Sequence, residues 1–163
     1  MLRPNGFADA PNDLSLAGSD KYPPSWILAQ VQQGHTLKID THSHNGLILC
    51  KPFHADFAGP GATIGGAFDL DCRQVIAVGD LSVQSPISHD DSQKAYRIRR
   101  AWIRLLNEFT KIKSPRKRAK KILTQFEIYF GKEATAKIPN QALAQLVGVL
   151  PQTIQAERSP AHN

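Results

Sequence analysis

An α+β fold is predicted by three features of the 163-residue sequence. Short apolar runs punctuated by turn residues fill residues 35 to 87. Apolar residues at helical spacing take over from Ser88. Near the C-terminus, two such helical segments meet at a single glycine, Gly148. The expected architecture is a small β-rich N-terminal part, a long amphipathic helix and a C-terminal helix-turn-helix bundle. Its divisions are an irregular leader over 1–34, a β-rich unit over 35–88, a long helix over 89–113, and a basic helix with the helix-turn-helix over 114–163.

The leader is rich in turn formers, including Pro4, Pro11, Pro23 and Pro24. Residues Ser25 to Gln33 form a short helix or turn ahead of Gly34. In the β-rich part, Leu37, Ile39 and Thr41 alternate with polar neighbours, as in a half-buried strand. Asn45-Gly46 is a tight-turn dipeptide, and the run Leu47 to Cys50 follows it directly. Gly59-Pro60-Gly61 and Gly65-Gly66 mark further turns. Val75 to Val78 and Leu81 to Val83 form two more short strands around Gly79-Asp80. A small roll or sandwich accounts for such a series.

From Ser88 the apolar residues Ile98, Trp102, Leu105, Leu106, Phe109 and Ile112 fall on one helical stripe, with Arg97, Arg100 and Arg104 off it. Ser114-Pro115 restarts the chain, serine as cap and proline at the first helical position. Ala119, Ile122, Leu123, Phe126 and Phe130 then give a second stripe, closed by Gly131. In the last segment, Leu143, Ala144 and Val147 form one short apolar face. Gly148 permits a positive φ, Val149 plugs the turn, Pro151 opens the next helix and Ile154 points back to the first.

Charge locates the expected partner. Residues 1–90 hold five Lys/Arg against nine Asp/Glu, whereas residues 91–163 hold fifteen against five. A basic half fused to an acidic half points to a polyanion on the basic side. The densest run covers Lys111, Lys113, Arg116, Lys117, Arg118, Lys120 and Lys121, around a helix N-terminus where cations are unfavourable and a bound anion would offset them. The expected partner is double-stranded DNA. The second helix of the pair would enter the major groove, with Gln152, Gln155 and Ala156 facing base edges. Lys113, Arg116, Lys117, Arg118, Lys120, Lys121, Gln141, Thr153 and Arg158 would contact the backbone. A homodimer through the long helix would place Trp102, Leu105, Leu106 and Phe109 at its seam.

Leu143-Ala144, Val147-Gly148, Val149 and Thr153-Ile154 resemble the helix-turn-helix of the Crp/Fnr bacterial transcription regulators. The order of elements resembles that family too, as does Gly59 to Gly65 beside its β-roll turn. The resemblance implies a regulator with a β-roll sensor and a dimerising helix. It also marks departures. Gly66 stands where the cyclic-nucleotide binders of the family carry a glutamate that holds the ribose. Arg73 remains in the place of the phosphate-pairing arginine, at shortened spacing. No cyclic-nucleotide control and no cofactor are expected. Only five residues follow Arg158, so a C-terminal wing is not expected either.

Two other readings compete. Asp40-Thr41-His42-Ser43-His44 resembles the first metal motif of amidohydrolase-like enzymes, and His42 and His44 two apart on a strand could share an ion. Those enzymes are barrels of ~250 residues with ligands on later strands, so an exposed hairpin at Asn45-Gly46 is the preferred reading. The basic helices could instead bind RNA or a protein. Cys50 and Cys72 make neither a disulfide framework nor a four-thiolate cluster. No nucleophile elbow or oxyanion turn is present, so no enzymatic activity is expected. With no apolar run of ~18 residues and no signal-peptide pattern, a cytoplasmic location without membrane contact is expected.

Overall fold

The computed structural model describes residues 21–42 and 44–158. The leader expected over 1–34 and the tail after Arg158 lie mostly or wholly outside them. The chain is α+β. Helix α1 (Pro24–Gln32) has proline at its first position and fully buries Ile27 and Val31. Six short strands follow: β1 (Thr36–Ile39), β2 (Asn45–Cys50), β3 (Ala55–Ala58), β4 (Thr63–Gly65), β5 (Gln74–Gly79) and β6 (Val83–Gln84). They pair antiparallel in two sheets, ordered β4-β1-β6 and β3-β2-β5. One turn of 3-10 helix (Gly66–Asp69) joins β4 to the chain leading into β5.

Strand β2 is buried along its whole length, because it is covered on both faces. Leu47 and Leu49 join Leu37, Ile39, Ile64 and Val83 between the two sheets. Ile48 and Cys50 point the other way, into a core shared with the helices. This is the period-two alternation of a strand serving two cores.

The Asn45-Gly46 dipeptide is not a tight turn. Both residues lie in β2, paired with Gly79 and Val78 of β5. Asn45 is fully buried: its side-chain amide donates to the Asp40 carbonyl, and its oxygen accepts from the Ser82 amide. Gly46 is required for space. A Cβ there would overlap the Phe57 ring and crowd the Ala58 carbonyl. The turn-like composition thus reflects a close approach between strands.

The helical half contains α2 (His89–Thr110), α3 (Pro115–Phe130), α4 (Lys132–Ala136), α5 (Asn140–Val147) and α6 (Pro151–Arg158). Ser88 caps α2 by accepting from the Asp91 amide, and Ser114 caps α3 by accepting from the Lys117 amide. Ile48, Phe57 and Val78 of the sheet share one core with Leu106 and Phe109 of α2, Ile122 and Phe126 of α3, Leu143 of α5 and Ile154 of α6. The β-rich part and the helix-turn-helix therefore pack on each other through this core, while the second core lies within the β-rich part.

The long helix uses its apolar stripe internally, which corrects the expected dimer seam. Leu106 and Phe109 are buried in the shared core. Trp102 lies edge-on to Phe57, with ring centroids 5.3 Å apart, and its indole covers Gly59. Of the four seam candidates only Leu105, 45% exposed, faces outward. The sheet supplies enough apolar surface to cover the stripe, so no second copy is needed for that purpose.

Candidate nucleic-acid interface

The turn between α5 and α6 is built on Gly148. Its φ of 69° and ψ of 45° lie in the left-handed region open to glycine. The Val149 amide returns a hydrogen bond to the Ala144 carbonyl at 3.1 Å. Leu143, Ala144 and Val147 bury the inner face of α5, and Ile154 is the fully buried anchor of α6. With Ile154 inside, Gln152 and Ala156 are exposed one turn apart on the opposite face of α6. Gln155 is exposed as well, but its side-chain oxygen accepts from Asn140 Nδ2 of α5 at 2.7 Å. That bond ties the two helices together and orients the Gln155 amide. Thr153 is half-buried.

The basic residues divide into two groups. Lys113, Lys117, Lys120 and Lys121 are exposed and enter no ion pair among the described residues. Lys121 sits 5.5 Å from the Phe109 ring centroid. Lys120 lines a groove of about 680 Å³ between α3 and α6, which Gln155 and Glu157 also line. Arg116 is exposed and pairs with Glu157 of α6 at 3.0 Å.

Arg118 and Arg158 have structural tasks that sequence reasoning missed. Arg118 Nη1 donates to the carbonyls of Ile112 and Lys113 at the end of α2, and its Nη2 to the Gly148 carbonyl. It clamps the α2–α3 corner to the turn of the helix-turn-helix. Arg158 Nη1 donates to the Thr135 carbonyl at 3.2 Å, and its Nη2 to the Ile138 carbonyl. Burial lowers its pKa below the ordinary arginine value, against an opposing pull from Glu127. Both guanidiniums are turned toward carbonyls at or near helix ends, a use of arginine that local sequence cannot distinguish from phosphate binding. Gln141 is exposed on α5. It lines a cleft of about 340 Å³ with Arg73, Gln74 and Gln145, between α5 and the β2–β5 sheet.

Midway along α2 lies a buried ionic cluster with no counterpart in the sequence reading. Arg99, 2% exposed, meets the fully buried Asp69 in a two-point pair, Nη1–Oδ2 at 2.9 Å and Nη2–Oδ1 at 3.0 Å. Arg99 also donates to the Thr63 carbonyl at 3.2 Å. Lys51 Nζ reaches Asp69 Oδ1 at 3.0 Å, Asp56 at 3.5 Å and the Phe68 carbonyl at 2.6 Å. The Gly65 amide donates to Asp69 at 2.8 Å. Burial by itself would raise the Asp69 carboxyl, but the hydrogen bonds and charge of Arg99 hold it below the usual carboxylate range. The cluster closes the junction between the Gly65-Gly66 turn and α2 with protein groups.

His42 is exposed, and the His44 ring stacks on Tyr129 with centroids 4.7 Å apart. No group of three His, Cys, Asp or Glu side chains converges on a common point among the described residues. Cys50 and Cys72 are buried free thiols, and burial pushes the Cys72 thiol up to about 11. No described helix is long and apolar enough to cross a membrane.

The chain matches no protein-family profile, no curated protein and no solved structure.

Proposed function

We propose that this protein binds double-stranded DNA through α5 and α6, as a transcription regulator of Crp/Fnr type without cyclic-nucleotide control. The observation that carries the reading is the Gly148 junction. It seats α6 on α5 through a fully buried Ile154 and leaves Gln152 and Ala156 exposed on the opposite face. A short helix held this way, with its first turn open, suits entry into a major groove. Gln152 supplies a side-chain amide able to make paired hydrogen bonds to adenine, and Asn140 presents Gln155 beside it. Lys113, Lys117, Lys120 and Lys121 provide charge for the phosphates, with Arg116 shared between phosphate and Glu157. Arg118 and Arg158 act by holding the motif together. The Asp69–Arg99 pair at the Gly65-Gly66 turn favours a regulator that needs no nucleotide there.

The test is a titration by fluorescence anisotropy against duplex DNA, single-stranded DNA and RNA at two salt concentrations. Preferred, salt-sensitive binding to the duplex is the expected result. Equal affinity for all three would overturn the regulator reading and favour a general polyanion or RNA binder. Selection of bound sites from a random duplex pool would then supply the recognised sequence.

A further inference from the structure

The outer face of α2 carries a second basic surface. Arg97, Arg100, Arg104, Asn107 and Lys111 recur at alternating spacings of three and four, so they form one line along the helix. All five are exposed, while Ala95, Arg99, Leu106 and Phe109 on the other side are buried. At ~1.5 Å per residue the line is roughly 21 Å long. It runs into the α2–α3 corner that holds Lys113, Arg116 and Lys117. Arg97, Arg100 and Arg104 form no ion pair among the described residues. Glu108, one turn beyond Arg104, is paired to Lys111 at 2.7 Å.

Like charges three and four apart repel each other and weaken a helix. Arg97–Arg100 and Arg100–Arg104 are two such pairs, and among the described residues no carboxylate forms an ion pair with any of the three. The same line argues against a second copy of the chain on this face, because a two-fold contact would bring the arginines of both copies together. A polyanion with regularly spaced charges suits it instead. We propose that the outer face of α2 is a second DNA-backbone surface, with Arg97, Arg100 and Arg104 contacting phosphates of the duplex that the helix-turn-helix holds. The proposal rests on the duplex-binding reading above. It assigns α2 the task of extending the grip beyond the motif without adding sequence preference.

The experiment compares the unaltered protein with the triple variant Arg97→Gln, Arg100→Gln, Arg104→Gln. Binding is measured by anisotropy over a salt series, on a duplex of about 40 base pairs containing a selected site and on one of scrambled sequence. Each phosphate contact contributes about 0.9 to the slope of log affinity against log salt, so the variant should lower that slope by about 2 to 3. Affinity should fall alike on both duplexes, leaving their ratio unchanged. Helix content by circular dichroism should be undiminished, since the exchanged side chains are exposed and their mutual repulsion is removed. An unchanged slope in a folded variant overturns this inference and leaves duplex binding standing. A changed ratio between the duplexes also overturns it, because the arginines would then be reading bases. If the unaltered protein binds poly-glutamate but neither duplex, the duplex reading itself fails and α2 faces an acidic protein.

Discussion

Asp69 and Arg99 illustrate how much a single buried pair can govern. Removing one partner of a buried ion pair leaves the other charge uncompensated, at about 3–5 kcal/mol. Asp69→Asn should therefore lower unfolding stability at pH 7 by up to that amount, with Asp56, 3.4 Å from Arg99, retaining part of the compensation, as measured by urea denaturation. Because the folded pKa of Asp69 lies below its unfolded value, its contribution is complete above about pH 4 and is lost as pH falls through the folded pKa. The variant should accordingly lose less stability between pH 5 and pH 2 than the unaltered protein does. A parallel acid limb in both would show that Asp69 is not the group being titrated. Gly46 makes a separate point. In a solvent-exposed turn an added methyl would meet nothing, whereas in β2 it meets Phe57 and the Ala58 carbonyl. Gly46→Ala should cost roughly 1–3 kcal/mol by overpacking, and a neutral result would contradict the strand placement.

At the level of elements, the proposed duplex binding divides its work between α3 and α6. Gln152 stands on the open face of α6, and Lys120 lines the groove beside it on α3. Gln152→Ala should cost about 1–3 kcal/mol on a selected duplex and relax preference at one base position. Lys120→Ala should weaken selected and scrambled duplexes equally and reduce the salt slope by about 1. Competition binding on both duplexes distinguishes the two. Identical behaviour of the two variants would remove the division of roles. The elements themselves were legible in sequence where they are local. The Ser114-Pro115 start of α3, its Gly131 end and the Gly148 turn all follow from residue chemistry within one helical turn. Strand β3 was not legible, because Ala55 to Ala58 contains Asp56 and lacks a β-branched run. Its place is set by pairing with β2 instead. The exposure of the expected contact residues was partly legible. Exposed lysines remained where charge placed them, but Arg118 and Arg158 were claimed by partners distant in sequence.

For the whole molecule, the shared core is the decisive feature. Leu106 is buried among residues of the sheet and of α3, α5 and α6. Leu106→Ala should destabilise by about 2–5 kcal/mol. It should do so within a single unfolding transition seen alike by far-ultraviolet circular dichroism and by tryptophan fluorescence. Two separated transitions would show that the β-rich part and the helix-turn-helix unfold independently. The same variant should leave the molecular mass in solution unchanged, since the side chain serves the chain's own core.

Legible along the chain alone were the α+β class, the change of period at Ser88, the capped start of the basic helix, the glycine junction of the helix-turn-helix and the concentration of positive charge after residue 90. Each of these is a local property, decided by residues within a few positions of one another or by composition. Tertiary structure alone decided which surface covers the stripe of α2, that Asn45-Gly46 lies inside a strand, and that Asp69 meets Arg99 thirty positions away. It also decided which arginines face solvent and which cap carbonyls. Those outcomes depend on groups brought together by the packing of the sheet against the helices, and an arginine's charge is the same in sequence whichever oxygen it finds.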